Sequence, residues 1–207
     1  MTDHVSIQDS IRHASDELER SADGDIPLPV RRTIMSKLGP GLGSSSPPSR
    51  AVGYVKRVRL AIMAVEKSAP IWEDALPDDD AVRDALELAH DVMTGAVSAK
   101  FAGLTRGSLW THCDDLSYDG KNHDIPALVG YAAAQAITVA LWDQIDEDSE
   151  GENCTDRDLD PDEFDPSFLG ASAWAGGMPW NRTSSSKRRR EYWRWWLSAV
   201  LEVLGTE

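Results

Sequence analysis

Five side chains able to do acid–base, nucleophilic or metal chemistry fall close together in the sequence: His112, Cys113, Asp114, Asp115 and His123. Imidazole, thiol and carboxylate are the donors of a zinc site, or of a thiol nucleophile with its base. Their spacing is irregular, and they fall where a helix gives way to a loop, so solvated polar residues are the expected reading. The chain has no HExxH pair, no G-x-S-x-G elbow and no CxxC motif. An enzyme is not expected, nor a cofactor or a metal; the His112–His123 region is the one catalytic alternative.

The segment DQIDEDSEGENCTDRDLDPDEFDP, 143–166, sets twelve carboxylates against Arg157 alone, a net of -11 in a chain of net charge -14. Asp146, Asp148, Glu150 and Gly151 match positions 1, 3, 5 and 6 of an EF-hand loop. Position 12 requires a bidentate glutamate, and here it is Arg157. A cation at a ligand position rules against calcium, which leaves a long acidic loop. The glycine-rich stretch GPGLGSSSPPS, 39–49, lacks the Gly-Lys-Ser/Thr of a phosphate loop, and Pro47 and Pro48 stand where the helix would begin. It reads as a flexible linker.

A third concentration is KRRREYWRWW, 187–196. On a helix over 188–204, Trp193, Trp196, Leu197, Val200, Val203 and Leu204 share one face and form core. Trp195 falls on the other side with Arg194, Ser198 and Glu202, either exposed or covered by Trp174, Met178 and Trp180 of the preceding stretch. Lys187, Arg188, Arg189 and Arg190 crowd the helix N-terminus, where the macrodipole disfavours each exposed cation by about 0.3–1 kcal/mol. Carboxylates of the acidic loop are the expected compensation. Phosphate binding by this run competes with that reading, but the chain's net charge of -14 repels phosphate backbones and anionic lipid at long range. Neither nucleic acid nor a membrane is expected as a partner.

These segments need a scaffold, and the hydrophobic pattern supplies helices. Apolar residues recur at helical spacing over 4–20, opened by Thr2 or Asp3, and over 50–69, where Pro70 and Pro77 are expected to break the chain. Asp78, Asp79 and Asp80 restart it as cap and first-turn residues for a helix over 80–94 that Gly95 stops. A short helix carries Pro29 in its first turn, Ser98 caps another, and IPALVGYAAAQAITVALW, 125–142, is the buried central helix. That last stretch approaches the length of a membrane span, but alanine dominates it and Gln135 and Thr138 interrupt it. Sustained two-residue alternation is missing throughout. The expectation is one all-α domain over 1–207, a bundle of six to eight helices with the acidic loop ahead of the aromatic helix. With 41% hydrophobic and 27% charged residues, the composition is globular. Two distant cysteines, Cys113 and Cys154, and an N-terminus without a basic-then-apolar signal pattern fit a cytoplasmic protein.

The order of RRTIMSKLGP (31–40), RLAIMAVEKSAPIWEDALPDDD (59–80), ALELAHDVMTG (85–95), YAAAQAITVALWD (131–143) and EYWRWWLSAV (191–200) resembles an all-α family of immunity proteins. These belong to bacterial polymorphic-toxin systems, and the family is the fifth in the numbered immunity series. The resemblance implies a cytoplasmic protein that binds and blocks a cognate toxin, and it implies no catalytic residues. An acidic inhibitor suits a basic toxin such as a nuclease. Candidate contacts are Asp146, Glu147, Asp148, Glu150 and Glu152 of the acidic loop, the turn Asp78, Asp79 and Asp80, and Trp195. A helical adaptor without a toxin is the other non-catalytic alternative.

Overall fold

A computed structural model describes residues 6–40, 51–119, 123–143 and 154–205. They form an all-α fold: α1 (Ile7–Arg20), α2 (Leu28–Lys37), α3 (Val52–Ala75), α4 (Ala81–Thr94), α5 (Ala99–Tyr118), α6 (Asp124–Trp142), α7 (Pro166–Ala175) and α8 (Ser186–Gly205), with no strand among the described residues.

The alanine-rich α6 is the axis. Small side chains on every face let neighbours approach closely, and α3, α4, α5 and α7 all pack on it. Gly130 marks the tightest approach: a methyl group there would collide with the Cys113 sulfur of α5 and the Trp72 ring of α3. By length and composition α6 could cross a bilayer, but in this fold most of it is buried by the other helices. A second apolar cluster joins α1, α2 and α8 through Leu18, Ile26, Ile34, Trp193, Trp196 and Val200. α3 serves both clusters, turning Val58 and Val65 to the first and Leu60 to the second.

Two boundaries differ from the sequence expectation. α1 begins at Ile7 rather than residue 4, because the Ser6 hydroxyl accepts from the Asp9 amide, 3.2 Å, and caps it. α3 runs through Pro70 to Ala75 instead of ending at residue 69. An interior proline costs about 3 kcal/mol; the turn beyond it is held by Trp72, which is buried and donates its indole N–H to the Asp79 carbonyl, 2.9 Å. α4 stops at Gly95 as expected, with φ 79° in the left-handed region. α5 is continuous through Gly103 and Gly107, capped by Ser98.

The stretch after α6 is more ordered than a loop over its described part. Residues 156–158 and 161–163 form single 3-10 turns, each closed by a reciprocal capping box, Thr155 with Asp158 and Asp160 with Glu163. Asp165 then caps α7 by accepting from the Phe168 amide, 2.9 Å. Positions 41–49 of the expected linker lie outside the described residues.

Candidate partner interface

The acidic stretch is fastened by two arginines of the opening helices. Arg31 of α2, sealed from solvent, donates Nε to Asp165, 3.0 Å, its terminal nitrogens to Asp156, and Nη1 to the Ile26 carbonyl, 2.6 Å. Its planar face also stacks between Phe168 and Trp193, at 5.2 and 5.3 Å from the ring centroids. Burial works against its charge, but Asp165 and Asp156 more than offset this and raise its pKa. Arg57 of α3 forks onto Asp143, with Nε–Oδ1 2.6 Å and Nη2–Oδ2 2.9 Å, and donates to the Gly39 carbonyl, 2.9 Å. Asp143 ends α6 in the left-handed region at φ 41°, a conformation aspartate tolerates better than most residues. Arg57 is buried because every direction it points offers an acceptor.

With Asp143, Asp156 and Asp165 turned inward, Asp158, Asp160, Asp162 and Glu163 are left on the exposed outer side. Asp146, Glu147, Asp148, Glu150 and Glu152 lie outside the described residues.

Among the described residues, the cationic run has partners other than the expected ones. Arg189 is buried, donating to the hydroxyls of Ser172, 3.1 Å, and Ser184, 2.7 Å, with the Asp25 carboxylate 3.7 Å away. Arg190 reaches back to the C-terminal end of α1, donating to the carbonyls of Leu18, 3.3 Å, and Ser21, 2.7 Å. Arg188 lies over Trp174 at 5.7 Å. The charge that the α8 dipole disfavours is thus set against the negative end of the α1 dipole and against Asp25. Among the described acids of 154–165, Asp156 acts on Arg189 only as a secondary electrostatic neighbour.

Trp195 is half-buried. It stacks edge-on with Tyr192, 5.2 Å, and the Lys67 ammonium sits over both Trp195 and Trp174, at 5.6 and 4.6 Å. Of its three expected covers, Trp174 shares this cation with it, whereas Trp180 packs on Phe164 and Phe168. In the aspartate turn, Asp78 is exposed and Asp80 pairs on the surface with Arg83, 2.7 Å. Asp79 is occupied within the fold: it meets the His112 imidazole at 2.7 Å and accepts from the Ala81 amide, 2.9 Å.

The His112–His123 cluster separates in space. His112 turns to Asp79, Asp114 accepts from the Tyr131 hydroxyl at 2.5 Å, and His123 lies 3.2 Å from Asp119. Cys113 is buried, which pushes its thiol up to about 12 and keeps it protonated. Among the described residues no three His, Cys, Asp or Glu side chains converge as metal ligands.

The sequence reading did not single out Arg31 as a site residue, nor α7 as a helix. The sequence signal for α7 was Asp165-Pro166, a capping residue followed by a proline at the first helical position.

The described residues thus form an all-α scaffold with an anchored acidic flank. Residues 11–203 match the family described as Immunity protein Imm5, and the chain belongs to that family. The search of curated proteins found no match.

Proposed function

We propose that the protein is a cytoplasmic immunity protein that binds and neutralises a cognate bacterial polymorphic toxin, acting by contact and not by catalysis. Membership of the Imm5 immunity family supports the general reading. The observation that carries the finer one is the division of labour in the acidic stretch: Asp156 and Asp165 fasten it to buried Arg31 while Asp158, Asp160, Asp162 and Glu163 face outward. A fixed anionic surface loses little entropy on binding and steers a basic partner at long range. A nuclease-type toxin domain, basic because it handles phosphate, is the matching partner; nucleic acid itself and anionic membranes are repelled.

The test is co-expression in a sensitive bacterium of this protein with the C-terminal domain encoded by the adjoining upstream reading frame. Survival with this protein, and death without it, is the expected result. A partly neutralised form, with Asp158, Asp160, Asp162 and Glu163 changed to amides, should bind the toxin more weakly and with less salt dependence. Soluble expression of both proteins without rescue would overturn the reading.

A further inference from the structure

Beside the acidic flank, α5, α6 and the segments on either side of α7 enclose a half-open groove whose walls include Trp110, Tyr131, Phe164 and Trp180, together with Asp114 and Arg157. Trp110 and Tyr131 lean on each other at 4.7 Å, and Trp180 rests on Phe164 and Phe168 with more than a third of its surface open, 38%.

Both tryptophans already carry guanidinium groups. Arg106 lies 5.0 Å over Trp110 and is tied to the Thr138 hydroxyl, 2.9 Å. Arg157 lies 5.5 Å over Trp180 and is otherwise unrestrained: its side chain is exposed and makes no hydrogen bond or ion pair among the described residues. It is also the one cation in a stretch of twelve carboxylates. Asp114, also in the lining, is oriented by the Tyr131 hydroxyl, which burial, then that hydrogen bond, keeps protonated.

Aromatic faces, a positioned carboxylate and a surrounding negative field are together the recognition chemistry of a guanidinium. Tryptophan and tyrosine in a part-dry pocket are also the residue types that dominate binding energy at interfaces. We propose that this groove is the docking site for an arginine-bearing segment of the cognate toxin, whose guanidinium takes the Trp180 face from Arg157 with Asp114 as its counter-charge. This rests on the immunity reading and adds to it the location and the chemistry of the contact.

The experiment is calorimetric titration of the toxin domain from the adjoining reading frame against wild type, Trp180→Leu, Trp180→Phe, Asp162→Lys and Arg157→Ala, each checked for helical circular dichroism. Trp180→Leu should weaken binding at least tenfold, and Trp180→Phe, which keeps a ring, by less. Asp162→Lys, next in the chain to the groove-lining Pro161 and without a side-chain hydrogen bond or ion pair among the described residues, should weaken it several-fold by reversing a charge. Arg157→Ala should bind no more weakly than wild type. Wild-type affinity in Trp180→Leu overturns the groove, and wild-type affinity in Asp162→Lys overturns its cationic occupant; if Trp180→Leu unfolds, Asp162→Lys decides. A tenfold loss in Arg157→Ala overturns the displacement. If the toxin domain fails to bind the wild-type protein at all, the immunity reading fails first and the groove proposal with it.

Discussion

Arg31 and Asp156 stand 125 positions apart in the sequence and meet as an ion pair in the interior, the guanidinium nearly sealed from solvent. Removing one partner of such a pair leaves the other charged and unpaired, at a cost of about 3–5 kcal/mol. Arg31→Ala should lower the urea midpoint accordingly and accelerate amide exchange in 156–163, the stretch it fastens. A loss below about 1 kcal/mol would mean that the pair is solvated and the acidic flank held by something else.

Gly170 of α7 faces Tyr192 of α8, and a methyl group there would strike the phenol oxygen, which donates to the Ala64 carbonyl at 2.9 Å. Gly170→Ala should therefore destabilise by about 1–3 kcal/mol, despite alanine's better helix propensity. Thermal unfolding measures it. The double variant Gly170→Ala, Tyr192→Phe should recover part of the loss, since the colliding atom is gone.

Asp25 is raised to about 6, chiefly by burial, with Arg31 and Arg189 opposing the shift and Asp156 adding to it. A carboxyl raised in the folded state binds a proton there before it does in the unfolded chain. Its contribution to stability is greatest below the unfolded value near 3.8 and declines as pH rises to about 6, by up to about 3 kcal/mol. Asp25→Asn should accordingly gain stability relative to wild type as pH rises from 4 to 6. Paired urea titrations at several pH values give that difference, and a gap that does not change with pH would contradict it.

The pair between His112 and Asp79 is structural on this geometry, exposed enough to be worth roughly 0–1 kcal/mol. His112→Ala with His123→Ala should leave rescue from the toxin intact and shift the melting temperature by only a few degrees. Lost rescue in a folded double variant would return attention to this region as a site.

The all-α class was legible because amphipathic spacing shows wherever a helix has one wet side, as in α4, where Val82, Ala85 and Ala89 are buried and Arg83, Glu87 and His90 exposed. It failed for α7, whose residues are buried on nearly all sides and carry no stripe. Arg31 and Arg57 were not legible as anchors for a related reason. A lone arginine on a helix is ordinarily solvated, and only the fold shows that their carboxylates arrive from 86 to 134 positions away. The aspartate turn does open α4 with Asp80 at the cap position, but the side chain of Asp80 makes no cap hydrogen bond and Asp79 accepts from the Ala81 amide instead; the use of Asp79 to hold Trp72 and His112 was a tertiary fact. Trp180 was visible as an aromatic, but not its separation from Trp195, because the turn at Gly176, φ 81°, sends the chain away.

Because the opening helices pack on α8, assembly has an order in time. During synthesis, the apolar cover of Leu18, Ile26 and Ile34 is completed only when Trp193, Trp196 and Val200 emerge from the ribosome, and Arg31 waits for Asp156 and Asp165. Contacts of such long range form late and slowly compared with local ones. The α6 cluster can gather first, whereas the layer that pins the acidic flank closes only when translation is almost complete. A chain cut short before α8 would therefore keep the helices of the α6 cluster but leave the opening helices without Trp193, Trp196 and Val200.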